Sequence, residues 1–321
     1  MDPLTYKVKA VGRLGNLLYA LCNAIKVCQK NGCNIEIEKS KKTNIFKTLE
    51  LNYSNSSTQL PYSDFPAQDF FNKRKVAKEF GPDSVVSLQE ASHFLRSEIK
   101  PLLNLPYTTL RNDVVIHIRS GDLFDFEKFP LSRRAEWDHV QPPFSFYKKV
   151  INDENFSRPL IVTEPDFKNP VIELLQKEFP AIEIQSKSME EDFSTLVHAP
   201  NLILSNSSFA FCSALCSDTA SKVFIPDFCF GLPTSHKYPL FEPFVPDNLL
   251  FDFVLYNCSD YYEVIRHYKQ PEMIEVMKEF PLSSVCRGTY SPTERIQSVD
   301  NFIKLGVDLK KSKHFKNDNF S

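Results

Sequence analysis

The residue types best suited to chemistry in this 321-residue chain gather in three short segments, each leaving a strand-like run. His117-Ile118-Arg119-Ser120-Gly121-Asp122 ends the most apolar of those runs, residues 113–118 (DVVIHI). Alternation along a strand sends His117 and Arg119 to one face at its carboxyl end, and Gly121 permits a sharp exit. A histidine beside an arginine, with no carboxylate between them, seeks an anion, and the planar guanidinium fork can hold two phosphate oxygens at once. Asp122 is placed to pair with Arg119, to orient His117 or to act as a base. The plain alternative is a strand-end Arg–Asp ion pair beside a satisfied core histidine. In the second segment, Ser205-Asn206-Ser207-Ser208-Phe209, small hydroxyl and amide residues precede an apolar stretch, 209–216. Backbone N–H groups at such a helix start favour a phosphate, but Ser and Asn are also the preferred N-caps. Gly12-Arg13-Leu14-Gly15-Asn16 is the third, and it uses two of only eight glycines between a strand and a helix. Glycine there allows a tight turn or a close backbone approach to a ligand. The segment nearly matches a dinucleotide-binding fingerprint, with Glu36 and Glu38 near the ribose position, but the first glycine is missing.

The elements that must position these segments alternate between strand and helix. Residues 6–11 alternate apolar and polar, 17–29 run apolar almost all round up to a stop at Lys30-Asn31-Gly32, and 34–38 alternate again. Residues 39–75 read as irregular with one helix, and 88–103 as a helical stretch interrupted by Pro101. After a linker at 106–112 come strand 113–118, helix 145–151, strand 159–163, helix 170–179, strand 182–185, helix 190–199, strand 202–204, segment 209–216 and strand 222–225. This order predicts an α/β fold with mainly parallel sheets. The expected organisation is an N-terminal α/β domain over 1–108, a second over 109–250, a C-terminal segment 251–305 packing back, and a mobile tail 306–321. Two such domains face a cleft at their strand carboxyl ends, where ligands bind.

Lys and Arg number 38 and Asp and Glu 40, giving a net charge of −2. Nothing therefore draws the whole chain to nucleic acid or an anionic membrane, and a bound anion needs a local cluster. No apolar run reaches the roughly 18 residues of a membrane-spanning helix and no signal peptide is visible, so a cytoplasmic location is expected. The eight cysteines include no CxxC pair and read as buried reduced thiols. Asp64, Asp122 and Asp125 have no partner of the metal-binding Asp-x-Asp kind, so no metal is expected. Asn206-Ser207-Ser208 also fits a glycosylation sequon, and a glycan there would obstruct an anion site.

Taken in order, the three segments resemble a known family. Gly12-Arg13-Leu14-Gly15-Asn16-Leu17-Leu18-Tyr19 resembles the G-x-L-G-N-Q-x-F segment of α-1,2-fucosyltransferases. His117–Asp122 resembles the H-x-R-R-x-D motif shared by the α-1,2-, α-1,6- and protein O-fucosyltransferases, with Ser120 in place of the second Arg. Residues 204–210 resemble S-N-S-[ST]-F-[SA]-W-W, with Phe211-Cys212 where two tryptophans usually stand. The resemblance covers about residues 6–226 and implies a GT-B-like fold of two Rossmann-like domains. It further implies metal-independent, inverting transfer of fucose from GDP-fucose to a hydroxyl of a glycan acceptor. The donor is a substrate, and no cofactor is implied. With no anchor visible, the chain looks more like the soluble microbial or viral members.

On that reading Arg119 holds the diphosphate and Asp122 is the nearest base, followed by Asp125, Glu127, Asp138 and His139. His117, Arg13, Gly15, Asn16, Asn206, Ser207, Ser208 and Phe209 bind the nucleotide sugar. Thr163-Glu164-Pro165-Asp166 either lines the pocket or caps the next helix. Alternatives are a different nucleotide sugar, a non-catalytic nucleotide- or sugar-binding relative, and an oxidoreductase built on Gly12, Gly15 and Glu36.

Overall fold

The computed structural model describes residues 5–10, 12–53, 73–124, 140–228, 250–265 and 270–288. Strand β1 (Thr5–Val8), helix α1 (Leu14–Asn31) and strand β2 (Asn34–Ile37) open the chain, with β1 and β2 parallel and Val8 opposite Ile37. Alternate residues Tyr6, Val8, Ile35 and Ile37 are buried, which fits the period-two pattern of a one-sided strand. α1 is longer than its apolar run suggested and buried on nearly every side, including Leu17, Leu21, Cys22, Ile25 and Cys28. Gly32 ends it at φ 67, a conformation that penalises a Cβ, and donates its N–H to the Cys28 carbonyl. The stretch read as irregular holds a 3-10 turn (Lys41–Ile45) and a short strand β3 (Glu50–Leu51), antiparallel to β2.

Helices α2 (Lys73–Phe80) and α3 (Leu88–Phe94) follow. The helical stretch expected over 88–103 with an interruption at Pro101 is helical through Leu102, but it leaves α-geometry already after Phe94, passing through a π-turn (Leu95–Ile99) and a 3-10 turn (Lys100–Leu102). Pro101 cannot donate the N–H that would continue it.

The second sheet holds β4 (Val114–Ile118), β5 (Pro159–Thr163), β6 (Glu183–Gln185), β7 (Asn201–Ile203), β8 (Lys222–Asp227), β9 (Asp252–Asn257) and β10 (Cys286–Arg287). Their spatial order is β10-β9-β8-β7-β4-β5-β6, and every pairing is parallel except β9 with β10. The α/β expectation with mainly parallel sheets is met. Helix α4 (Phe144–Asp153) precedes β5, α5 (Pro170–Glu178) joins β5 to β6, α6 (Met189–Val197) joins β6 to β7, and α7 (Ser208–Cys216) joins β7 to β8. α8 (Ser259–Ile265) and α9 (Gln270–Glu279) lie between β9 and β10, so the sheet continues past residue 250. β4 and β5 are buried along their whole length, as continuous apolar strands covered on both faces should be.

One core joins the two sheets. Leu17, Leu21 and Ile25 of α1 cluster with Phe193 of α6, Leu215 of α7 and Val115 of β4. The opposite face of the large sheet, with Ile116, Ile161 and Phe224, packs on α4, α5, α8 and α9 through Phe146, Leu175, Tyr261 and Met273. Cys22, Cys28, Cys33, Cys212, Cys216 and Cys258 are free and buried, and Cys286 is free and exposed. Burial pushes the Cys22, Cys212 and Cys258 thiols up, so they stay protonated. Cys229 and the tail 306–321 lie outside the described residues. Among the described residues no helix is long and apolar enough to cross a membrane.

Candidate functional site

A cavity of about 290 Å³ opens at the carboxyl ends of β4 and β5. Strand order reverses beside β4, with β5 and β6 to one side and β7, β8 and β9 to the other. Ligands of open α/β sheets collect at such a reversal, because the loops leaving the two neighbouring strands part there. The cavity is lined by Arg13, Leu14, His117, Ser207 and Phe209, together with Val162, Thr163, Glu164, Pro165, Lys187, Met189 and Asp192.

Arg13 is the N-cap of α1 and its side chain makes no capping bond, although Ser, Thr, Asp and Asn are far better caps. Its guanidinium reaches outward instead, with Nη1 2.7 Å from Glu164 Oε1 and Nη2 donating to Asp122 Oδ1. Sequence reasoning offered Arg119 as the partner of Asp122, but Arg119 Nη2 stands 3.7 Å away and Arg13 is the nearer cation. The two come from distant parts of the chain, so no local spacing announces the pair.

Ser120, where the family motif has arginine, is a fastening point. Its N–H donates to Glu164 (2.6 Å), its hydroxyl donates to Asp166 (2.7 Å), and that same oxygen accepts the Asn169 N–H (3.0 Å). Burial alone would raise Asp166, but hydrogen bonds from Ser120, Gly121 and Lys168 hold its carboxyl below the usual range. Thr163, Glu164 and Pro165 line the cavity, while the cap of α5 is Asn169, whose side chain accepts the Val171 N–H.

His117 is 5% exposed, with Nδ1 2.6 Å from Ser205 Oγ. Burial holds its pKa down to about 4; Glu164 opposes the shift, and Arg119 and Arg13 add to it. The imidazole is therefore neutral near pH 7. His117 offers a hydrogen bond, and Arg13, Arg119 and Lys187 bring the positive charge.

Ser207 is the N-cap of α7, yet its side chain makes no capping bond and it lines the cavity. The plain capping alternative is not taken. Ser208 donates to Asn16 Oδ1 at 2.7 Å, tying α7 to α1. Asn206 is buried, with its amide donating to the Val140 carbonyl at 3.1 Å, so the folded chain presents no glycosylation target there. Gly15 lies in the first turn of α1. A Cβ there would stand 2.3 Å from the Ser208 carbonyl carbon, so the backbone that Gly15 admits is that of α7. Gly12, at φ 65, provides the left-handed turn into α1. The acids of the dinucleotide reading are engaged elsewhere: Glu36 pairs with Lys7 at 2.9 Å, and Glu38 accepts the Ala10 N–H at 3.1 Å.

Lys187, Met189 and Asp192 were not singled out from the sequence. Asp192 is buried and accepts from Gln185 Nε2 (2.9 Å) and from the Lys187 N–H (3.2 Å). Burial nevertheless raises its carboxyl above the usual range. Its signal was masked by an ordinary one, since acids in the first turn after the Ser188–Glu191 capping box are what any helix start shows. Asp64, Asp125, Glu127, Asp138 and His139 lie outside the described residues. Among the described residues no group of three or more His, Cys, Asp or Glu is placed to hold a metal ion.

No family model matches the sequence, and no curated protein matches it. Among solved structures the chain is similar to the iron-containing dodecameric glycosyltransferase TibC from enterotoxigenic E. coli H10407, with TM-score 0.45 and 14% identity over 94% of this chain and 77% of that one. It is similar to E. coli heptosyltransferase WaaC with ADP, with TM-score 0.40 and 9% identity over 78% of this chain and 92% of that one. It is also similar to POFUT1 in complex with GDP, with TM-score 0.35 and 11% identity over 68% of this chain and 97% of that one.

Proposed function

We propose that the chain is a GT-B-like, inverting glycosyltransferase that moves fucose from GDP-fucose to a hydroxyl of a glycan acceptor without a metal. The observation that carries the reading is a cavity whose lining joins a cation, a helix start and a buried carboxylate. Arg13 and the Ser207 start of α7 suit a diphosphate, with Arg119 behind Asp122. Asp192, when ionised, is an acceptor-only group. Guanine presents two adjacent donors to one carboxylate, N1–H and the 2-amino group; adenine and uracil do not. The volume, about 290 Å³, is at the lower end of the ~300–1,000 Å³ usual for ligand pockets and suits the nucleoside, with the sugar at the mouth.

In the proposed reaction the acceptor oxygen bonds to the anomeric carbon as the bond to the phosphate oxygen breaks, and GDP leaves. Arg119, Arg13 and the α7 N–H groups face the charge developing on the diphosphate, where each preorganised donor contributes about 3 kcal/mol. The hydroxyl proton passes to a carboxylate on the face of the sugar opposite the diphosphate.

Calorimetric titration with GDP, UDP, ADP and GDP-fucose, on wild type and Arg119→Ala, tests the reading. Selective GDP binding that is lost in the variant is expected. UDP or ADP binding would keep a transferase and replace the sugar, and binding of none would end the proposal. Asp192→Asn should weaken GDP at least about tenfold and favour xanthosine diphosphate, whose 2-oxo group accepts from the new amide.

A further inference from the structure

We infer that Asp122 is an internal anion that occupies the diphosphate place between Arg13 and Arg119 and is exchanged for it when the ligand binds; this rests on the functional reading above. The two carboxylates that hold Arg13 are not alike. Glu164 has a 26% exposed side chain and is also fixed to the Ser120 N–H at 2.6 Å, so it belongs to the stapled loop. Asp122 is 51% exposed and sits on a single 3-10 turn (Gly121–Phe124) entered through Gly121 at φ 65. Among the described residues its carboxylate meets only the two arginines, bonded to Arg13 Nη2 and 3.7 Å from Arg119 Nη2.

Exposed ion pairs are weakly held, and a carboxylate and a phosphate present the same paired oxygens to a guanidinium fork. Arg13 does not follow the outgoing Asp122, because its Nη1 stays bonded to Glu164 at 2.7 Å and Glu164 is itself held by the Ser120 N–H at 2.6 Å. The arginine therefore stays and the anion changes. Asp122 masks the cations when the site is free, opposes the incoming diphosphate, and returns as the product leaves.

The sign of one substitution tests this. Affinities of wild type and Asp122→Asn for GDP and for inorganic diphosphate are measured by calorimetry at one ionic strength. Asp122→Asn should bind both at least about threefold tighter, and Asp122→Ala should do the same, with thermal unfolding confirming that each is folded. Unchanged or weaker binding overturns the exchange. The gain should vanish in an Arg13→Ala background; an equal gain there would mean that only the overall charge had changed, and would overturn it too. Wild type that binds inorganic diphosphate but no nucleoside diphosphate, with the gain intact, would keep the exchange and sink the nucleotide-sugar reading. GDP binding without the gain would do the reverse, and binding of neither probe by any variant would end both.

Discussion

At Gly15, α1 meets α7 backbone to backbone, in a contact so close that a methyl group has no room beside the Ser208 carbonyl carbon. At Arg13, half a turn earlier, the same helix ends in a side chain 45% exposed and held by two carboxylates of the large sheet. The seam is apolar, buried and intolerant, whereas the rim is charged, wet and exchangeable. Position comes from the first and chemistry from the second: the seam fixes where Arg13 emerges, and the rim leaves its hydrogen bonds open to replacement. A site built wholly like the seam could not exchange ligands, and one built wholly like the rim would not hold its geometry.

This division can be attacked at several points. The largest effect is expected at the buried base beside the rim. Unfolded His117 takes a proton below about pH 6.5, while the folded site refuses it until about pH 4, so the unfolded state binds more protons between those values. Stability should fall by about 3 kcal/mol as the pH drops through that window, and His117→Gln should flatten the curve. Equal curves for the two proteins, by chemical denaturation at several pH values, would remove the neutral histidine from the account.

Arg119→Ala should cost about a hundredfold or more in turnover while moving the unfolding midpoint by only about a degree or two. A matching loss of stability would make Arg119 part of the seam. Gly15→Ala is sharper because its sign is at stake. Helix propensity alone favours alanine by about 1 kcal/mol, whereas overpacking costs about 1–3 kcal/mol or more, and backbone rather than a flexible side chain is in the way here. A net loss of about 2 kcal/mol is expected, and a stabilised variant would mean that the seam is loose. The smallest effect belongs to Ser208→Ala, which removes the hydrogen bond to Asn16 and should cost about 1 kcal/mol or less.

Legibility in the sequence follows the range of the forces involved. β4 and β5 were readable because burial on both faces makes nearly every residue apolar, and the β1–α1–β2 unit because alternation gives way to a long apolar run and then returns. The rim residues Arg13, Glu164 and Asp122 were each noticed, but their union was not, since 151 and 109 residues separate Arg13 from its partners. At Gly15 the need for a missing Cβ is a local signal, but the backbone that fills the space comes from residue 208. Asp192 looked like any acid in a first helical turn, and only the cavity distinguishes it. In the stretch 88–103 the helical pattern and the break at Pro101 were legible, but the π-turn at Leu95–Ile99 carries no signal of its own in the residue pattern.

The core shared by α1, α6 and α7 also bears on how the molecule could be divided. A cut in the chain near residue 108 would strip α1 of the partners that cover Leu17 and Leu21, and would leave Leu215 of α7 facing water. Neither fragment would then be a self-sufficient folding unit, yet the two would carry complementary surfaces. Expressed as separate polypeptides, they would be expected to reassemble only together, with the cavity restored at the moment of complementation, because Arg13 would arrive on one piece and His117 and Asp192 on the other.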